Sequence, residues 1–204
     1  QPGSAFKPFV YSAALTRGFS PATMVNDAPI QFDAGQTGGQ AWEPKNYDGK
    51  FDGPMPLRTG LAKSKNMVSI RVLHSIGARY TQDYVTRFGF EPEKNPPYLT
   101  MALGAGSVTL MQMAGGYSVF ANGGYRINPY IIDRIVDLKG KVVAKAQPIK
   151  AGTETHRVMD PRHVFIMDSL LQEVVKSGTA TRALQLGRTD LAGKTGTTND
   201  SMDA

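Results

Sequence analysis

The chain has 204 residues, 41% of them hydrophobic and 20% charged, and it contains no cysteine. These figures describe a globular chain with one sizeable core or at most two small ones, and they exclude disordered and collagen-like readings. Lacking Cys, it has no disulfides, no thiolate metal sites and no cysteine nucleophile. Twenty-three Lys and Arg against 17 Asp and Glu leave +6, spread along the chain without runs. That distribution reads as a solvated basic surface, and no nucleic-acid partner is expected. His74, His156 and His163 show no ligand spacing, so no metal is expected, and no apolar run reaches the ~18 residues of a membrane span.

From Ser4, the apolar residues Phe6, Phe9, Val10, Ala13 and Ala14 recur at helical spacing and predict a helix with one buried face, stopping near Gly18. Residues 20–56 are rich in Gly, Pro and Asp, hold the single Trp and keep no period, which predicts an ordered but irregular excursion. Leu57 to Lys63 reads as a short helix. Val68, Val72, Leu73 and Ile76 give the next helix its apolar face before Gly77, and Tyr80 to Phe88 adds another. After a Gly- and Pro-rich stretch at 89–107, Thr109 to Phe120 reads as a helix in which Ala114, Gly115 and Gly116 permit close packing. Tyr130 to Val136 and Lys141 to Ala144 bracket a turn and predict a hairpin. Asp160-Pro161 starts a helix that buries Val164, Met167, Leu170, Leu171, Val174 and Val175 and is capped by Gly178. A short helix near Thr181 to Leu186 and a strand at Leu191 to Thr197 complete the chain.

Three short patterns could carry chemistry. Ser4-Ala5-Phe6-Lys7 places a hydroxyl and an amine three residues apart at a helix start. A lysine can act as base to a serine once burial and nearby positive charge lower its pKa. Taken alone, the pattern is more readily a helix cap with a solvated lysine. Ser64-Lys65-Asn66 lies between two helices, where a turn-like backbone sends side chains 64 and 66 to one side: a hydroxyl to relay a proton and a carboxamide to hold a substrate amide. Alone, it is a loop with caps. Lys194-Thr195-Gly196-Thr197 could line an edge for a peptide and engage a terminal carboxylate, with Gly196 allowing a backbone to approach. Lys176-Ser177-Gly178-Thr179 fits the same loose pattern, but its glycine ends a helix and it reads as a C-cap.

Ser-x-x-Lys, Ser-x-Asn and Lys-Thr-Gly in this order form the signature of penicillin-binding proteins and class A β-lactamases. The surroundings extend the match: Gln1 to Phe9, Leu103-Gly104 before Val108-Thr109, Phe120-Ala121-Asn122-Gly123-Gly124, and Gly193 to Asn199. Together they resemble the transpeptidase domain of bifunctional class A penicillin-binding proteins of Gram-negative bacteria, along essentially all 204 residues.

The resemblance implies an α+β, helix-rich fold like that of the serine β-lactamases, with helices packed on a central antiparallel sheet of about five strands. Strands before Ser4 and after Thr197, the glycosyltransferase domain and the membrane anchor are expected to lie outside residues 1–204, so the chain reads as a partial domain with little acylation activity alone. It further implies Ser4 as nucleophile toward the D-Ala-D-Ala carbonyl of a peptidoglycan stem peptide, Lys7 as base, Ser64 as proton relay and Asn66 as holder of the substrate amide. Lys194, Thr195, Gly196 and Thr197 would bind the substrate and its carboxylate, and the backbone N–H groups of Ser4 and Thr197 would form the oxyanion hole. β-Lactams would be covalent inhibitors, no cofactor would be needed, and the complete protein would work at the periplasmic face of the inner membrane.

Rival readings are a serine β-lactamase, a D,D-carboxypeptidase and a non-enzymatic β-lactam sensor. Glu91 and Asn95 mimic the Glu-x-x-x-Asn loop of class A β-lactamases, but the flanking Phe88-Gly89-Phe90 and the following Leu103-Gly104 match the transpeptidases.

Overall fold

The helix predicted from Ser4 begins as a 3-10 turn, Gly3–Phe6, and runs on as α1, Lys7–Thr16. There follow β1 (Met24–Asp27), β2 (Gly53–Pro56), α2 (Leu57–Ala62), α3 (Asn66–Ile76), α4 (Ala78–Thr86), α5 (Leu110–Ala121), β3 (Arg134–Val136), β4 (Val142–Lys145) and α6 (Pro161–Lys176). Further 3-10 turns cover Pro92–Lys94, Leu99–Leu103 and Thr181–Leu186. The computed structural model describes residues 1–34, 40–152 and 156–197.

Pro8 sits in the first turn of α1, where its missing N–H breaks no helical bond. The predicted single buried face is corrected: every residue from Lys7 to Leu15 is buried. The reason is position, because α3, α4 and α6 all pack against α1 and leave it no solvent side. Phe9 is the hub of the surrounding aromatic cluster, with ring centroids 5.4 Å from Phe6, 5.4 Å from Phe88, 4.8 Å from Phe90 and 5.3 Å from Phe120. Gly116 of α5 makes room for it, since a Cβ there would lie 2.9 Å from Phe90 Cζ and 3.0 Å from Phe9 Cζ. The N-terminus of α5 is fixed by a reciprocal cap: Gln112 N donates to Thr109 Oγ1 and Thr109 N donates to Gln112 Oε1. The apolar stripe predicted for α6 is buried in full, and Asp160 caps its first turn by accepting from Arg162 N.

Three expectations need correction. Residues 20–56 are not irregular throughout, because β1 and β2 pair antiparallel with Val25 opposite Met55 and Asp27 opposite Gly53. Pro54 and Pro56 disguised this strand, since a ladder accepts proline only where no N–H is required. Leu191 to Thr197 forms no strand; a ladder needs a partner backbone, and among the described residues none lies along it. The sheets among the described residues are two-stranded, β1 with β2 and β3 with β4, and with the surrounding helices they accord with the expected helix-rich α+β fold, whose central sheet was expected to be incomplete here. The β3–β4 hairpin forms as predicted around Asp137 to Gly140, with every strand residue exposed. Gly178 is also not a left-handed cap; it is required for close approach, since a Cβ there would lie 2.2 Å from Ala62 O. No helix of the described residues is long and apolar enough to cross a membrane.

Because Phe9 anchors the cluster, Phe9→Ala is expected to destabilise the protein by about 3–5 kcal/mol. Chemical denaturation measures this, and a loss below ~1 kcal/mol would contradict the assigned role of the cluster.

Candidate active site

The three patterns meet at Ser64. The Lys7 amine, fully buried at the start of α1, donates to Ser64 O at 2.7 Å and to Asn66 Oδ1 at 2.7 Å, and it lies 3.3 Å from Ser64 Oγ. Lys194 Nζ reaches the same hydroxyl from the other side, 2.8 Å from Ser64 Oγ, and also donates to Thr195 O at 2.9 Å. Side chains 64 and 66 do face the same way, as the turn-like reading predicted, and Lys65 between them points into the protein. Ser64 has φ +56°, and among the described residues no other non-glycine has a positive φ. A left-handed serine costs backbone energy, and such strain persists only where the surroundings fix it.

Ser4 lies half-buried in the 3-10 turn ahead of Lys7. Its hydroxyl forms no hydrogen bond among the described residues, so the structure places Ser4 and Lys7 on one turn without bonding them to each other. The turn is held from outside: Gly3 N donates to Gly104 O at 3.2 Å, and Tyr117 Oη donates to Ala5 O at 2.8 Å. Gly104 has φ +70°, and a Cβ there would lie 2.1 Å from Gly3 O. The third segment passes close by. A Cβ at Gly196 would lie 3.1 Å from Pro2 O and 3.2 Å from Ala5 Cβ, so glycine is what lets this segment lie against the Ser4 turn. Thr195 Oγ1 is 2.6 Å from Thr179 Oγ1, while exposed Thr197 donates its hydroxyl only to Gly196 O. The Lys176 to Thr179 stretch is thus no second site, but its last residue braces the third one. Thr198 and Asn199 lie outside the described residues.

Neither Lys7 nor Lys194 has a carboxylate within ion-pair distance among the described residues. Burial holds the Lys7 amine well below the ordinary lysine range, the Lys194 charge lowers it further, and the more distant Asp27 only partly offsets this. Burial also brings Lys194 down, to about 8. A neutral Lys7 has two N–H groups and one lone pair. Ser64 O and Asn66 Oδ1 use the two N–H groups and leave the lone pair free to accept a proton.

Sequence reasoning missed a group behind the Ser64 loop. Lys65 is buried with its ammonium 3.4 Å from Asp27, 3.2 Å from Asp48 and 3.3 Å from Asp52. Burial alone would lower Lys65, but hydrogen bonds to Asp48 and Asp52 and the charge of Asp27 outweigh it and raise it. The available signal was the clustering of Asp27, Asp48 and Asp52 within the 20–56 excursion. Glu91 is engaged elsewhere, accepting from Gln112 Nε2 at 2.8 Å, and it makes no bond to the Ser64 cluster. A cavity of about 720 Å³ lined by Phe32, Trp42, His74 and Tyr98 contains none of the groups that meet at Ser64.

Residues 1–203 match the family described as the penicillin-binding protein transpeptidase domain. The chain belongs to this family. As a penicillin-binding transpeptidase chain it is 54% identical to penicillin-binding protein 1A of Neisseria flavescens, covering 100% of this chain and 26% of that protein. The crystal structure of penicillin-binding protein 1A from Haemophilus influenzae superposes with a TM-score of 0.88 at 36% identity, over 98% of this chain and 34% of that one. An imipenem acyl-enzyme complex of penicillin-binding protein A from M. tuberculosis shares the fold, with a TM-score of 0.74 at 19% identity over 89% of this chain and 45% of that one. The chain therefore spans about a quarter of the curated relative's length.

Gly104→Ala is expected to cost about 2 kcal/mol or more, because it combines left-handed strain with a clash against the Ser4 turn. Covalent penicillin labelling should fall with it. Unchanged denaturation and labelling would contradict the role given to this contact.

Proposed function

We propose that this chain carries the acyl-transfer centre of a peptidoglycan D,D-transpeptidase, a serine enzyme that cross-links stem peptides and is inhibited by β-lactams. The observation that carries the reading is the meeting of Lys7 and Lys194 on the Ser64 hydroxyl, from segments 57 and 130 residues away, with Asn66 Oδ1 bonded to the same Lys7 amine. Family membership supports penicillin binding and transpeptidation as the activity class.

In this reading the Ser4 hydroxyl gives its proton to the Lys7 lone pair as Oγ attacks the carbonyl carbon of the D-Ala-D-Ala peptide bond. Negative charge on the carbonyl oxygen is met by the backbone N–H groups of Ser4 and Thr197. As the C–N bond breaks, the leaving D-Ala nitrogen takes a proton through Ser64, and an ester on Ser4 remains. The amine of a neighbouring stem peptide then attacks the ester carbon, the C–O bond to Ser4 breaks, and the proton the amine loses passes through Lys7 to Ser4 Oγ, leaving the amide cross-link and a free Ser4 hydroxyl. Asn66 aligns the substrate amide. Lys194, Thr195 and Thr197 hold the terminal carboxylate, and Gly196 leaves room for the peptide backbone. In a β-lactam the cleaved C–N bond lies in a ring, so the leaving nitrogen stays attached and blocks the acceptor amine. The acyl-enzyme of the M. tuberculosis relative supports this inhibition. No cofactor enters the scheme. In the same reading the complete protein works at the periplasmic face of the bacterial inner membrane.

Ser4→Ala in the complete protein should abolish the penicillin adduct seen by mass spectrometry while leaving the fold intact; a persisting adduct would refute the nucleophile. Lys7→Ala should slow acylation by about 10²–10⁴-fold, the range for loss of general-base assistance. The pH profile of acylation tests Lys194 separately. Its cation exists below about 8 and is lost above, so carboxylate binding should fall through an alkaline limb near that pH. Lys194→Arg, which stays charged, should move that limb upward. An unmoved limb would contradict the anchor role. Product analysis with stem-peptide dimers separates the transpeptidase from a carboxypeptidase, and turnover of a cephalosporin separates it from a β-lactamase.

A further inference from the structure

Lys65 and the three carboxylates around it take no part in that acyl-transfer scheme. All three carboxylates come from the 20–56 excursion, and Asp27 is completely buried. The β1 alternation that buries Val25 also turns Asp27 inward. One Asp27 oxygen faces Lys65 at 3.4 Å and accepts from Asp52 N at 3.0 Å; the other accepts from Asn46 Nδ2 at 2.7 Å. Buried Asn46 then turns its own oxygen to the α3 N-terminus, accepting from Asn66 N at 2.8 Å and Met67 N at 3.4 Å. Its neighbour Lys45 offers a backbone carbonyl to Asn66 Nδ2 at 2.8 Å. With that amide nitrogen committed, Asn66 Oδ1 is left to face Lys7 Nζ.

We propose that Asp27, Asn46 and Lys65 are positioning residues for acylation: the buried Asp27–Lys65 pair and the Asn46 cap hold the Ser64-to-Asn66 loop in its strained left-handed turn. That turn aims Ser64 O, Ser64 Oγ and Asn66 Oδ1 at Lys7. The inference rests on the acyl-transfer reading of the site. Two features favour it over a simple loop staple. The pair flanks the strained non-glycine residue, and the hydrogen-bond chain from Asp27 through Asn46 and Asn66 ends on the amine assigned as base. Without the pair, Ser64 can relax to an ordinary negative φ, which turns its carbonyl away from Lys7.

The test measures the first-order acylation rate constant with benzylpenicillin in the complete protein, divided by the number of sites that form the covalent adduct. Asp27→Asn keeps the side chain's shape and removes its charge, and the rate constant per site is expected to drop about 10- to 100-fold, the scale for misplaced catalytic groups. Val164→Ala in the α6 core serves as the control: it should lower the unfolding temperature and leave the rate constant unchanged. Asp27→Asn combined with Lys65→Met removes both charges, so no buried ion is left unpaired. This double variant should regain unfolding temperature while its rate constant stays low. A wild-type rate constant in either Asp27 variant, or a rate constant that recovers along with stability, would overturn the proposal. If Asp27→Asn does not fold, the double variant decides in the same way. Ser4→Ala separates the two readings: an adduct that survives this change refutes the acyl-transfer site itself, whereas its loss beside a wild-type Asp27→Asn rate refutes only the positioning role.

Discussion

The arrangement depends on one constraint: an amine is buried in the first turn of a helix buried from Lys7 to Leu15, with no carboxylate of the described residues within ion-pair distance. A charged ammonium at such a place would cost several kcal/mol, and the interior lowers that cost by favouring the neutral amine. A neutral amine still needs acceptors for its two N–H groups. Ser64 O and Asn66 Oδ1 supply them at 2.7 Å, which ties the middle of the chain to its beginning. The same economy of charge keeps Lys194, also without a carboxylate, on the opposite side of the Ser64 hydroxyl.

Charge in this region is therefore segregated by turn geometry. Lys65 points one way and is given Asp27, Asp48 and Asp52; its neighbours 64 and 66 point the other way, toward two lysines that are given none. Spreading the carboxylates evenly would pair Lys7 and return it to the ordinary lysine range, where it could not act as a base near neutral pH. The excursion over residues 20–56 is thus more than a connection. It pairs Asp27, Asp48 and Asp52 with Lys65, away from Lys7, and Asn46 supplies the amide cap of α3.

The helices were legible because their apolar residues repeat at three and four, with clear stops at Gly18 and Gly77 and a clear start at Asp160-Pro161. The three segments stood out only in combination, because Ser-x-x-Lys, Ser-x-Asn and Lys-Thr-Gly in this order form a known signature, whereas each alone reads as a cap or a loop. What escaped was non-local. The β1–β2 ladder was hidden by prolines that act as punctuation in a sequence and are tolerated in a short edge pairing. The burial of α1 on every side depends on α3, α4 and α6, which no local period reveals. Leu191 to Thr197 has the composition of a strand, but a strand is a relation to a second backbone, and its composition does not provide one. Lys65 was passed over because nothing near it in sequence shows that three aspartates from 13 to 38 residues upstream converge on its ammonium.

The central claim is that burial and the nearby Lys194 charge favour the neutral form of Lys7, so that it gives up its proton well below the ordinary lysine range. Lysine labelled with carbon-13 at Cε, assigned with Lys7→Ala, reports the charge of each amine by its chemical shift as pH is varied. The account predicts that Lys7 titrates well below the ordinary lysine value of 10.5. An ammonium shift that persists to pH 10 would contradict it.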